Sequence, residues 1–333
     1  MPAILDEVQN VPEILPFVRT LIDRTPSLKG RWLLTGSHDF SLMRGVSESM
    51  AGRAAVFHLL PLSFRETGKW DLLRGGFPEV VLRPRTAADW FRSYLQTYLE
   101  RDVRSLLSVR DLATFRRFLA LLATRHGRLL NKTDLAAPLG VSVPTISEWL
   151  DVLETTGHLL LVPPFFENLG KRLIKSPKLY WVDSGLVCFL LGLESRAALE
   201  RSPFMGPVFE GFVASEMVKN QINAGRRREL YHFRDQQGLE VDFVAPGPDG
   251  SLRLVEVKWT RTVTPAMARP IERLAAAVGA RGAQGWIVTR GGAGGGPRSV
   301  VPGVRALSVE EFLSVPEGRA SVGRSRRRAR AGS

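Results

Sequence analysis

Five carboxylates and one lysine in the C-terminal part of the chain have the types and spacing of a hydrolytic site. Asp242 lies in the stretch GLEVDFV, and Glu256 and Lys258 lie in RLVEVKW. Residues two apart on a strand project to one side, so Glu256 and Lys258 point together, and Glu240 shares a face with Asp242. A hairpin at APGPDGS brings the two strands side by side, so that Asp242 joins the pair. Two carboxylates on neighbouring strands form a hard-oxygen site suited to Mg²⁺ or Mn²⁺. A lysine beside them can orient or deprotonate an attacking water and stabilise charge on a phosphorane. Upstream, FEGFVASEM places Glu210 and Glu216 on a helix, and Gln284 adjoins the next strand.

A second constellation sits at the N-terminus. ILDEVQN ends an apolar run with Asp6 and Glu7. In a phosphate-hydrolysing α/β site the first carboxylate, Asp6, would hold Mg²⁺, and the second, Glu7, would polarise the attacking water. The next strand runs into Thr35-Gly36-Ser37, where a hydroxyl can face a γ-phosphate.

These residues need a scaffold. Ala3–Leu5 reads as a strand, and the apolar spacing over Glu13–Asp23 reads as a helix. Arg31–Thr35 reads as a second strand, Phe40–Met50 as a helix and Val56–Leu60 as a third strand. The alternation predicts an α/β unit with a parallel sheet. Ala87–Leu107 and Leu112–Thr124 read as amphipathic helices. A compact pattern follows: a short helix at Asp134–Pro138, a turn at Gly140-Val141, a helix from Ser142 or Val143 to Thr155, and paired strands at His158–Val162 and Lys178–Val182. Helix, glycine turn, helix and β-ribbon make a winged helix-turn-helix. Val208–Ala224 reads as a long helix. Leu230–Arg234, Leu239–Val244, Leu252–Lys258 and Gly285–Thr289 read as strands, with a helix at Met267–Val278 and a short one at Val309–Ser314.

The N-terminal motifs ILDEVQNVPEIL, LLTGSHDFSLM and SMAGRAAVFHLLPLSFRE, in this order, resemble the AAA-type ATPases of bacteria and archaea that carry a C-terminal domain of unknown function. The resemblance covers nearly the whole chain. It implies ATP as a cofactor, Asp6 and Glu7 as the Walker B carboxylates with Asp6 on the metal, Ser37 as the sensor, and Arg53 as an arginine-finger or sensor residue. The chain departs from that family in one respect: no G-x-x-x-x-G-K-[ST] stretch occurs in it. That loop supplies the backbone donors and the lysine that cradle phosphates. The expectation is a member whose N-terminal portion is missing, by truncation or by a wrongly placed start, and which is deficient in ATP hydrolysis. A partial sheet of this kind exposes an edge that a second copy or a partner chain would cover.

The C-terminal pattern of helix-Glu, strand-Asp, hairpin, strand E-x-K, helix and strand is similar to the PD-(D/E)XK nuclease superfamily. That resemblance implies Asp242 and Glu256 as metal ligands for Mg²⁺ or Mn²⁺, Lys258 as the catalytic lysine, and Glu210 as an accessory carboxylate. DNA is the implied partner. The helix Val143–Thr155 is the one a winged helix would offer to a major groove, yet Glu148, Asp151 and Glu154 lie on its outer side, and phosphate approach needs positive charge. Domain packing or partner binding is the competing use of this module. The competing use of the whole chain is a non-enzymatic binding or regulatory module with a silent nuclease fold.

Composition narrows the field. With 46 Lys+Arg against 33 Asp+Glu the net charge is +13, but six of the arginines fall in the tail Arg319–Ser333. One cysteine excludes an internal disulfide, and five histidines with it make a structural zinc site improbable. No apolar run approaches the length of a membrane span, and the expected location is cytoplasmic. The fold class expected is α/β and multidomain: a partial P-loop AAA-type segment over 1–62, a helical connector over 63–107, a winged helix over 108–195, a restriction-endonuclease-like α/β domain over 200–315 and a disordered basic tail. Titrating the chain with ATP and Mg²⁺ is expected to give no micromolar binding; a clear micromolar isotherm contradicts the reading of the missing loop.

Overall fold

The computed structural model describes residues 2–36, 50–99, 112–165, 175–247, 250–279, 282–291 and 296–315. The chain forms two compact units. One comprises residues 1–60, 88–121 and 132–159, and the other residues 61–87, 122–131 and 160–333. The connector 63–107 read from the sequence is therefore divided, and its first part belongs with the C-terminal residues.

In the first unit, β1 (Ala3–Leu5) pairs in parallel with β2 (Trp32–Leu34), and α1 (Ile14–Arg24) makes the crossover. The helix forms because Ile14, Leu15, Val18 and Ile22 recur at helical spacing; Leu15 and Val18 bury against Val8 and Met50. The third strand expected at Val56–Leu60 does not form, and this stretch is irregular. Strand-like residues need a neighbour to accept their backbone hydrogen bonds. No described strand pairs with this segment, and Leu59 is left 98% exposed. The helix expected over Phe40–Met50 lies outside the described residues, apart from Met50.

The second unit takes up the chain with α2 (Phe64–Thr67) and α3 (Pro78–Leu82). A capping box closes α2: the Ser63 backbone N–H donates to Glu66 Oε2 at 2.8 Å. The first unit resumes with α4 (Ala87–Tyr94), which continues as a wider π-type turn over Leu95–Leu99. The later part of the helix expected to reach Leu107 lies outside the described residues. Next come α5 (Leu112–Ala123), α6 (Lys132–Leu139) and α7 (Val143–Thr155), close to the spans expected. Ser142 caps α7 by accepting the Thr145 N–H at 3.1 Å. On its inner side Ile146, Leu150 and Leu153 are all buried, and Trp149 packs edge-on to Phe115 at 5.3 Å.

The strands β3 (Arg128–Leu129), β4 (Leu159–Val162) and β5 (Lys178–Trp181) form a three-stranded sheet with β5 in the centre. Then follow α8 (Ser184–Leu190), α9 (Arg196–Arg201) and α10 (Met205–Asn223). The C-terminal sheet contains β6 (Tyr231–Arg234), β7 (Glu240–Pro246), β8 (Leu252–Lys258) and β9 (Ala283–Thr289), with α11 (Arg269–Val278) between the last two. Two further strands not expected from the sequence, β10 (Arg298–Val301) and β11 (Val304–Ser308), extend it, and α12 (Val309–Ser314) follows. The order is β10-β11-β9-β8-β7-β6, and β8, β9 and β11 run parallel to one another. Leu252, Leu254 and Ile287 pack on one face with Ile271 and Leu274 of α11. By period two, Val255, Trp286 and Val288 bury on the other.

The 19-residue α10 is buried along most of its length, polar residues included. Its Glu216 accepts the Phe64 N–H at 2.7 Å and the Lys219 ammonium at 3.0 Å, while Lys219 also donates to the Leu62 carbonyl. Arg65 donates to the Leu313 carbonyl at 3.0 Å. A buried ion pair thus pins the 61–87 segment to the same helix that carries Glu210. Glycine permits the tightest approach. A Cβ at Gly211 would lie 2.1 Å from His126 Nε2 and 3.1 Å from a Tyr180 ring carbon. His126 cannot yield readily, since it is buried and its Nδ1 accepts the Trp181 N–H at 3.0 Å. Gly211→Ala is therefore expected to lower unfolding stability by about 1–3 kcal/mol through overpacking. A urea midpoint equal to that of the parent chain contradicts this packing.

Candidate active site

The C-terminal constellation comes together. Asp242 on β7 and Glu256 and Lys258 on β8 meet, with Lys258 Nζ 2.7 Å from Glu256 Oε2 and 3.5 Å from Asp242 Oδ2. The register places them: Phe243 pairs with Val255, so Asp242 adjoins Glu256 across the ladder. Asp242 Oδ2 also accepts the Val257 N–H at 2.9 Å, which fixes its rotamer. Glu210 reaches the cluster from α10, and Glu240 reaches it from the start of β7. Asp242 and Glu256 are buried, whereas the Lys258 side chain is 39% exposed, so the lysine is the member that faces solvent.

Two members were missed in the sequence. Lys178 on β5 places its ammonium 2.5 Å from Glu240, 3.1 Å from Glu210 and 3.6 Å from Asp242. Tyr180, two residues on, donates its hydroxyl to Glu210 Oε1 at 2.5 Å. The signal that marks Lys178 is its company: KLYW is buried at every position, and a charge in such a strand must have a partner. Gln284 is not brought in. It pairs with Arg253 near the start of β9, on the opposite sheet face from Glu256 and Lys258. Glu216 serves the ion pair with Lys219 instead.

Burial sets the protonation of this cluster. It pushes the Glu256 carboxyl up to about 8, with the Asp242 charge adding to the rise and Lys258 opposing it. Burial, then Asp242, also raises Glu210, to about 7. For Lys258, burial pulls the ammonium down, but Asp242 and Glu256 outweigh it and the pKa lies above the ordinary lysine value. Lys178 behaves in the same way through Glu210, Asp242 and Glu240. In both glutamates burial is the larger cause of the rise and the Asp242 charge the next.

A divalent cation would suit this pair of buried carboxylates. Glu256 Oε1 is buried and has no hydrogen-bond partner, which is the state of an oxygen awaiting a ligand. Among the described residues no group of three or more His, Cys, Asp or Glu side chains is arranged to hold a metal. Mg²⁺ is commonly held by one or two carboxylates while it keeps several waters, and Asp242 with Glu256 meets that lesser demand.

At the N-terminus, the parallel β1–β2 pair brings Asp6 and Thr35 together, and the Thr35 hydroxyl donates to Asp6 Oδ1. Glu7 has φ 54°, a left-handed conformation rare for a non-glycine residue, and accepts from the Gln9 amide. Ser37 lies outside the described residues. Arg53 engages Asp23 near the end of α1 at 2.6 Å. The outer side of α7 carries exposed Glu148 and Asp151, with Glu154 half-buried.

Three family models match successive parts of the chain. Residues 1–68 match an AAA domain, residues 69–197 a domain of unknown function (DUF8612), and residues 205–300 a second one (DUF4143). The chain is similar to AAA-type ATPases with domains of unknown function. Uncharacterized proteins of Mycobacterium bovis and Mycobacterium tuberculosis are each 36% identical over 273 residues, covering 80% of this chain and 60% of each relative. An uncharacterized protein of Methanocaldococcus jannaschii is 24% identical over 279 residues, covering 74% of this chain and 59% of its own. The chain thus spans about 60% of the length of the curated relatives it matches. No described helix is long and apolar enough to cross a membrane.

The Glu256 shift has a definite sign. A carboxyl raised in the fold contributes stability that is present below the ordinary glutamate range and is lost as pH rises through about 8. Glu256→Gln carries no such charge. In EDTA, its melting temperature relative to the parent is expected to climb from pH 5 to pH 9. Parallel curves for the two proteins contradict a Glu256 carboxyl raised by burial.

Proposed function

We propose that the C-terminal part of this protein is a Mg²⁺- or Mn²⁺-dependent nuclease acting on DNA, joined to an AAA-type segment that does not hydrolyse ATP by itself. The observation that carries the reading is the convergence of Asp242, Glu256 and Lys258 around the unpartnered Glu256 oxygen. Asp242 and Glu256 would hold the cation, which when bound polarises a phosphoryl oxygen and lowers the pKa of its water. Val257 and Lys258 keep Asp242 oriented. Lys258, bonded to Glu256 but open to solvent on its outer side, donates to the incoming phosphodiester and offsets the negative charge that builds on it. Glu210 stays behind this pair and tunes its charge, with Lys178 and Tyr180 holding it.

The AAA-type reading of Asp6, Glu7 and Thr35 is supported by the match over residues 1–68 and by the meeting of Asp6 with Thr35. Asp6 would take Mg²⁺ and Glu7 the attacking water. The phosphate-binding loop is absent from this sequence, so ATP turnover would need that loop from elsewhere. Arg53 would have to leave Asp23 to act as a finger. Exposed Ile4 and Leu33 on the β1–β2 pair favour a partner surface there, from a second copy or another chain. For the helix pair α6–α7, the acidic outer side of α7 favours packing or partner binding over insertion into a DNA groove.

The full chain is expected to cleave DNA in Mn²⁺, and Asp242→Asn and Lys258→Ala should each lower the rate about a hundredfold or more, the scale on which electrostatic and metal-holding groups act. Cleavage that survives both changes contradicts the assignment.

A further inference from the structure

Lys178 has an unusual place. It opens a strand of large apolar residues, Leu179, Tyr180 and Trp181, and is itself 3% exposed. A buried ammonium must replace its lost hydration, and Lys178 does so with three carboxylates: Glu240 at 2.5 Å, Glu210 at 3.1 Å and Asp242 at 3.6 Å. Those carboxylates come from two elements, α10 and β7, and converge on one point. Tyr180 turns Glu210 toward that point, since its hydroxyl bonds the same Glu210 oxygen that Lys178 touches. Arg234 holds Glu240 from the outer side at 3.2 Å. These three carboxylates are not arranged to ligate an ion directly, but with the ammonium gone they would suit a hydrated divalent ion held through its waters. Beyond Asp242, by contrast, Glu256 Oε1 is buried with no hydrogen-bond partner.

Resting on the metal-dependent reading above, we infer that Lys178 is the resident cation of this site. It takes the place between Glu210, Glu240 and Asp242, and so limits the site to a single divalent ion held by Asp242 and Glu256. Lys178 is a positioning residue: it touches no reacting atom and acts through Asp242 and Glu210. The inference also joins two segments of the sequence. Lys178 lies within residues 69–197, and the carboxylates lie within residues 205–300, which match different family models. Neither matched segment holds the complete site.

The test is the stoichiometry of Mn²⁺ bound by the full chain, read by calorimetry and by the electron paramagnetic resonance of free Mn²⁺. The parent chain is expected to bind one Mn²⁺. Lys178→Ala, which empties the point where three carboxylates converge, is expected to bind two, and Lys178→Arg, which keeps the charge, one. Without cation, Lys178→Ala is expected to melt well below the parent, and saturating Mn²⁺ should restore most of the loss. One Mn²⁺ bound by both the parent and Lys178→Ala overturns the resident-cation role and leaves the metal reading standing, as does a Lys178→Ala protein that Mn²⁺ fails to restore. Two bound by the parent overturns the limit to one. No Mn²⁺ bound by the parent overturns the metal reading and this inference together.

Discussion

Four carboxylates share one largely dry space at the junction of β5, β7, β8 and α10, and the cations that answer them fix the local fold. Glu210, Glu240, Asp242 and Glu256 face Lys178 and Lys258, with Arg234 on the rim of Glu240. Counting Arg234, four negative groups meet three positive ones. Removing one partner from a buried pair costs about 3–5 kcal/mol, because the other charge is left without compensation. Each strand position in this unit is therefore constrained twice, by the packing of its apolar neighbours and by the charge it presents. Burial, with the neighbouring Asp242 charge second, raises Glu256 and Glu210 above the usual glutamate range.

The rest of the second unit serves this junction. α10 delivers Glu210, and it can lie close to β5 only because Gly211 has no side chain to meet His126. One turn and a half further on, Glu216 and Lys219 tie the helix to residues 62 and 64. The 61–87 segment is thus part of the framework of the C-terminal site, although its first residues fall within the AAA-domain match over 1–68. The parallel β8–β9 pair carries Glu256 and Lys258 out to the strand end, and α11 covers the face that Leu252 and Leu254 present.

Much of this was legible in the sequence. Alternation over RLVEVKW and GLEVDFV gave both the strands and the shared face of Asp242, Glu256 and Lys258, because period two is a local property of the chain. The span of α7, from Ser142 or Val143 to Thr155, and its acidic outer side were legible for the same reason. What escaped was long-range. Lys178 lies more than sixty residues from Asp242, and only the sheet topology makes them neighbours. Val56–Leu60 has the composition of a strand, but pairing is decided by a neighbour and not by composition. The strands β10 and β11 are short, flank a Pro-Gly turn and show no clear alternation, so their membership of the sheet appears only when β11 lies beside β9.

The account of the C-terminal half stands or falls on where a divalent ion binds. Crystals of the full chain grown with Mn²⁺, measured at a wavelength where manganese scatters anomalously, test this directly. The account predicts one anomalous peak in contact with Asp242 and with Glu256 Oε1, and Lys178 still seated among Glu210, Glu240 and Asp242. Fully occupied Mn²⁺ elsewhere, with Glu256 Oε1 left unligated, would contradict it.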